Sequence, residues 1–203
     1  MAVTKFTNSE LTGTQKYVSM LAGNPAYEGP GAFVPIASAT GTGSSDTIIF
    51  TSIPQTYQHL QLRCIQRGTG SVASLISYKI SFNSVGGTSY DFHELTGNGS
   101  TVSAAGFTND SGISVRSIVD RGLILSDAMT ASVIDIHDYA STIKNKTVRW
   151  FAGIDTNNAS YGKINIGSGL FRDTTAISSI TITNGGINLS TSSTFALYGI
   201  KGA

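Results

Sequence analysis

From residue 32 onward the chain is a succession of short segments in which alternate residues are apolar. They recur every 8 to 12 residues or so, between clusters of Gly, Pro, Asn and Ser. Side chains of an extended strand point alternately to opposite faces, so such a segment buries one face and offers the other to solvent or a partner. Leu60, Leu62 and Cys64 oppose Gln61, Arg63 and Ile65. Tyr78, Ile80 and Phe82 oppose Ser77, Lys79 and Ser81, and Tyr90, Phe92 and Glu94 oppose Asp91, His93 and Leu95. Ile134 and Ile136 oppose Val133, Asp135, His137 and Tyr139; Val148, Trp150 and Ala152 oppose Arg149 and Phe151. No segment beyond residue 32 supports a helix of three turns. Strands at this spacing belong to a sandwich or barrel. The expected fold is all-β: an antiparallel, jelly-roll-like β-sandwich over 32–203 with a mostly extended N-terminal arm over 1–31.

The last segment, Ser193 to Lys201, is apolar on both faces: Phe195, Leu197 and Gly199 one way, Ala196, Tyr198 and Ile200 the other. It reads as a central closing strand, buried on both sides or covered on one side by a partner chain. Phe33–Thr40 and Thr47–Thr51 read as the first two strands. Gly97 to Gly106 reads as a flexible polar loop, and Gly167-Ser-Gly169 as a connection following a strand over Tyr161–Ile166. Ile113–Ile118 and Leu123–Leu125 are candidate short strands within a region of weak pattern.

The first 31 residues have a different character. Tyr17, Met20 and Leu21 stand at helical spacing, with Thr14 as a cap and Gly23 as a stop, so a short helix over 14–22 is expected. Asn24-Pro25 and Glu28-Gly-Pro-Gly31 break it. Phe6, Leu11, Tyr17, Met20, Leu21 and Tyr27 are too many large apolar groups for a free tail. They are the candidate partner-binding residues of an arm that docks on its own or a neighbouring subunit.

Composition narrows the function classes. Charged residues make up only 12% of the 203 residues, while glycines number 23. Polarity is supplied by Ser, Thr and Asn, as suits many strands and tight turns. The net charge is +1 with no basic stripe, so direct nucleic-acid binding is not expected. The single Cys64 admits no internal disulfide and reads as a small core residue. No stretch approaches the roughly 20 apolar residues of a membrane span, and the N-terminus lacks a signal-peptide pattern. The expectation is a chain made in a cytoplasm that does not leave by the Sec route.

Candidate chemistry is sparse. His59, His93 and His137 lie on separate strands without ligand spacing, so no metal or cofactor is expected. The glycine-rich segments match neither a nucleophile elbow nor a phosphate-cradling loop. Asp135 is the carboxylate of most interest; it reads as a buried or rim group that accepts hydrogen bonds from a loop or from an arginine such as Arg149. Most aromatics read as core, but loop-borne Tyr90 and Tyr161 are candidate glycan contacts.

Several stretches together resemble a family of small virion proteins of tailed phages. They are Phe50-Thr-Ser-Ile-Pro-Gln-Thr-Tyr-Gln-His-Leu-Gln-Leu-Arg63, Phe82-Asn83, Leu95-Thr-Gly-Asn-Gly-Ser100, Ile136-His-Asp-Tyr139 with Lys144-Asn-Lys-Thr147, Gly169-Leu-Phe-Arg-Asp-Thr174 with Ala176-Ile-Ser-Ser-Ile-Thr181, and the Phe195–Lys201 ending. Ser19-Met-Leu-Ala-Gly-Asn24 resembles a segment ahead of the same domain. The resemblance covers the chain from about Met20 and implies a β-sandwich located in the virion. It carries over no catalytic residue.

The expected function is therefore non-enzymatic. The chain reads as a capsid decoration or cement protein that binds the assembled capsid through its arm and one sandwich face. The alternative is a tail-fibre or baseplate adhesin module that binds a host-surface glycan. The expected partners are capsid or tail proteins and further copies of the chain, a homotrimer suiting a capsid or fibre site.

Overall fold

The computed structural model describes residues 33–70, 75–119, 128–156 and 162–201. The arm residues, the helix expected over 14–22, the Leu123–Leu125 piece and Tyr161 lie outside them. Among the described residues every regular element is a strand: β1 Phe33–Thr40, β2 Thr47–Phe50, β3 His59–Gln66, β4 Leu75–Phe82, β5 Tyr90–Gly97, β6 Val102–Asp110, β7 Ile113–Val119, β8 Thr130–Ile136, β9 Lys146–Ile154, β10 Lys163–Phe171, β11 Ile180–Thr183 and β12 Thr194–Ile200. They form two antiparallel sheets. The larger runs β1-β12-β3-β8-β9-β10-β5-β6 and the smaller β2-β11-β4-β7.

Two of those strand runs define the fold. The quartets β1-β12-β3-β8 and β2-β11-β4-β7 alternate in chain order as the two sheets of a jelly roll do. The hairpins β5–β6 and β9–β10 are insertions in that plan. Both add to the larger sheet beyond β8, so it extends well past the smaller sheet that faces it.

The core lies between the sheets and is built from the inward residues of the alternating segments. Leu60, Leu62 and Cys64 of β3, Tyr78, Ile80 and Phe82 of β4, Ile134 and Ile136 of β8, and Phe195 and Leu197 of β12 are all buried. Burying each large apolar side chain contributes about 1.5–3 kcal/mol. Edge strand β7 covers part of the hairpin extension, packing over β9, β10 and β5.

Three predicted features differ in the structure. β12 is not buried on both faces: Phe195, Leu197 and Gly199 face the core, while Ala196, Tyr198 and Ile200 are half-buried outside. It is also not central, since only β1 lies between it and the sheet edge. Gly97–Gly106 is not a simple loop, because edge strand β6 begins at Val102. The strand β10 runs straight through Gly167-Ser-Gly169 to Phe171. A Cβ on Gly167 would lie 2.1 Å from Cζ2 of Trp150, and one on Gly169 would lie 2.7 Å from Cδ1 of Ile113. These glycines keep the strand while admitting large side chains onto its surface.

Lys146 pins one end of the sandwich. Its residue is fully buried, and its Nζ donates to the carbonyls of Ser141 (2.7 Å), Lys144 (3.0 Å), Asp173 (3.3 Å) and Thr174 (2.7 Å). Burial pulls its pKa below the usual lysine value. One ammonium thus ties the β8–β9 connection to the segment after β10.

Candidate functional site

The larger sheet has an outer face that nothing in the described structure covers. Its cross-strand register sets the residues in rows. Leu95 of β5 pairs with Ile166 of β10, Ile166 with Phe151 of β9, and Phe151 with Val133 of β8. All four point outward and are exposed, Phe151 by 56%. The next row places Val102 of β6 opposite Gly97, Gly97 opposite Ile164 of β10, and Ile164 opposite Gly153. Val102 is 71% and Ile164 53% exposed, and a Cβ on Gly97 would meet nothing within 4 Å. The missing side chains at Gly97 and Gly153 leave furrows on either side of Ile164.

The outcome is an apolar groove made largely by the inserted hairpins. One hollow of about 780 Å³ is lined by Leu95, Val102, Ile164 and Ile166, with Asn98, Asp155 and Lys163 also in its wall. A second of about 610 Å³ adjoins it over Leu95, Ile166, Phe151 and Val133. A contiguous exposed apolar patch is a candidate interaction surface.

A polar row borders the groove. In register order it runs His93, Ser168, Arg149, Asp135, Gln61, Tyr198. Gln61 donates its Nε2–H to Asp135 (2.8 Å) and accepts from Arg63 Nε (2.8 Å). The Arg63 guanidinium lies over the rings of Phe33 (5.1 Å) and Tyr198 (5.0 Å), the geometry of a cation–π contact. Arg149 Nε donates to His137 Nε2 (3.2 Å), and the His137 ring meets that of His59 at 5.1 Å. Burial, then the Arg149 charge, then His59 hold the His137 pKa below its ordinary value. Asp138 takes Lys144 as its ion partner at 2.9 Å, and its backbone N–H donates to His59 Nδ1 (3.0 Å).

From the core side a polar network ties the hairpin extension to the smaller sheet. Trp150 Nε1 donates to Asn165 Oδ1 at 2.5 Å. Asn165 Nδ2 donates to Glu94 Oε2 (3.0 Å) and Thr96 Oγ1 (2.9 Å), and Arg116 Nε reaches Glu94 Oε1 at 2.6 Å. The network joins β5, β9 and β10 of the larger sheet to β7 of the smaller. Phe92 adds apolar packing, its ring 6.3 Å from Trp150 and 4.7 Å from Phe107.

The residues singled out from the sequence are distributed unevenly. Phe6, Leu11, Tyr17, Met20, Leu21, Tyr27 and Tyr161 are outside the described residues. Tyr90 is not available to a glycan: it is fully buried, its oxygen accepts from the Phe82 N–H (2.8 Å), and its hydroxyl donates to the Val85 carbonyl (3.0 Å). Its ring stacks on Phe171 at 4.9 Å, and burial pushes its pKa up to about 12. Asp135 is the expected rim carboxylate, but Gln61 is its hydrogen-bond donor; Arg149, which faces it across the strand pair, donates to His137. His59 and His137 come together, while His93 stands apart on β5, where Gly106 of β6 leaves room for its ring. Among the described residues no three His, Cys, Asp or Glu side chains converge to hold a metal ion.

Sequence reasoning placed Leu95, Val133 and Phe151 on the faces opposite the inward sets, gave Ile166 no face, and linked none of the four. The available signal was an apolar residue on the otherwise polar face of each alternating segment. The chain matches no protein-family model, and no curated protein matches it.

Proposed function

We propose that this chain is a phage virion structural protein, a capsid decoration protein that cements the assembled shell. The observation that carries the reading is the exposed row Leu95–Ile166–Phe151–Val133 on the outside of a rigid jelly roll. A cement protein needs an adhesive, preformed surface on a scaffold that resists deformation. The groove supplies the first requirement, and the buried Trp150–Asn165–Glu94–Arg116 network supplies the second. The resemblance of the Phe50–Arg63, Ile136–Tyr139 and Phe195–Lys201 segments to tailed-phage virion proteins supports the same reading. Many copies acting together need only modest affinity per site.

The test is to locate the protein on purified particles by cryo-electron microscopy and to count copies per virion. Hundreds of copies on the capsid shell are expected. Tens or fewer at the tail, or none on the particle, would overturn the reading.

A second reading, a tail adhesin for a host glycan, draws support from the polar row beside the exposed Phe151 ring. Asp135, Arg149 and His93 next to an aromatic face form a sugar-binding combination. Binding of the purified protein to host cells, lost on Arg149→Ala, would favour it.

A further inference from the structure

The apolar groove and Phe33 lie at opposite corners of the larger sheet. The strand β1, where the described chain begins at Phe33, is one edge of the larger sheet, and β6 is the other. At about 4.8 Å per strand step, the seven steps between them span roughly 34 Å. The positions also differ along the strands. Phe33 pairs with Ile200, which pairs with His59, at the end of the sheet away from Ile65, Ile164 and Val102. β1 runs from Phe33 towards Thr40, so the described chain begins at the corner diagonally opposite the groove.

The two edges are also unlike. Pro35 removes a backbone N–H from β1, and a bulge between Pro35 and Ala37 breaks its register, so this edge resists a further strand. β6 has a bulge of its own near Asn109 and one charge, Asp110, at its far end; from Val102 to Thr108 it has no Pro, Lys, Arg, Asp or Glu and is largely exposed. The uncharged stretch Val102–Thr108 beside an apolar groove suits an apolar segment that seats its side chains there.

We infer that the groove along Leu95, Val102, Val133, Phe151, Ile164 and Ile166 is the receptor for residues 11–27 of a second copy of this chain. The arm brings Leu11, Tyr17, Val18, Met20, Leu21 and Tyr27 to an apolar surface, with Lys16 the one charge within that stretch. A neighbour is assigned as donor because Phe33 of the same chain stands at the corner diagonally opposite the groove, so a second copy whose β1 corner lies beside the groove needs a shorter span of chain to reach it. A contact from the β1 corner of one copy to the β6 corner of the next is head-to-tail. It closes into a ring where the rotation allows, and three copies would give a trimer. The inference deepens the assembly role proposed above and rests on it.

The experiment uses the full-length chain. Its own Cys64 is only 2% exposed, which leaves thiol chemistry free to report on introduced sites. Singly substituted Phe151→Cys and Met20→Cys proteins are mixed and mildly oxidised. A disulfide-linked heterodimer, formed much faster than either homodimer, is expected. Deleting residues 1–31, or introducing Phe151→Glu, should each convert the oligomer to monomer with an unchanged far-ultraviolet circular dichroism spectrum. Gly97→Leu, which fills the furrow beside Ile164, should weaken self-association at least tenfold.

A link formed only within one chain of the Phe151→Cys/Met20→Cys double variant would overturn the inference in favour of self-docking. Absence of any link, or an oligomer insensitive to both the deletion and Phe151→Glu, would also overturn it. Loss of particle binding by Phe151→Glu with self-association intact would assign the groove to another virion protein and end the inference while leaving the cement reading standing. Cross-linking of the pure protein, with no copies on the particle, would do the reverse.

Discussion

Trp150 and Phe151 are neighbours in the chain and face opposite sides of the same sheet. Trp150 is 4% exposed, its indole over Gly167 and its Nε1–H on Asn165; Phe151 is 56% exposed, on the outer groove. One residue holds the hairpin extension together, and the other is free to meet a partner.

Their substitutions should therefore separate stability from assembly. Trp150→Ala removes a large buried ring and leaves Asn165 Oδ1 without its donor, which should cost about 3–5 kcal/mol. Phe151→Ser, on an exposed position of the isolated domain, should stay within about 0.5 kcal/mol of the parent. Urea unfolding followed by circular dichroism measures both; equal losses would refute the division.

Lys146→Met should destabilise the domain by about 2–3 kcal/mol. The aliphatic stem is replaced closely, but four carbonyl oxygens lose a charged donor. Amide exchange in the β8–β9 connection and in residues 173–175 should rise more than in the strands. A variant as stable as the parent would show that these carbonyls find water without penalty.

Acid should destabilise the fold in two windows. His137 has a pKa held low, first by burial and then by Arg149 and His59. The unfolded chain therefore takes up this proton first, and stability falls as pH drops below about 6.5. Asp46, Asp110, Asp138 and Asp173 have pKa values lowered below the usual carboxylate range. Hydrogen bonds from Thr47, Lys79, Lys144 and Thr175 respectively favour their ionised forms. Their contribution is complete above about pH 4 and is lost as pH falls through the folded values. Thermal melts from pH 8 to 3 should show both steps, and His137→Gln, which keeps an acceptor for Arg149, should remove the upper one.

The Cys64 thiol should be inert in the folded protein. Burial pushes its pKa up to about 12, so almost no thiolate exists at neutral pH. Maleimide labelling should be undetectable in buffer over hours and complete within minutes in denaturant. Rapid labelling of the native chain would mean that the core around Leu62 and Ser132 opens readily.

The strands were readable where one face is buried. Leu60, Leu62 and Cys64, or Tyr78, Ile80 and Phe82, alternate because a sheet packed on one side demands it. The edge strand β6 was not readable: exposed on most of both faces, Val102–Asp110 has no buried face to impose a pattern. Gly167 and Gly169 were not readable as strand residues either. Their purpose is to admit Trp150 and Ile113, contacts made by other strands. Tyr90 looked available at the start of its segment, yet its hydroxyl and ring complete the packing around Phe82 and Phe171.

The amino-acid order by itself determined the fold class and the inward set of each segment, because alternation and turn chemistry act over a few neighbouring residues. Which strands lie side by side is set by pairings between residues tens of positions apart, and only the folded chain decides those. Leu95, Val133, Phe151 and Ile166 are unremarkable one at a time in four separate segments. The register of β5, β8, β9 and β10 brings them into one row, and that row is what makes a surface of them.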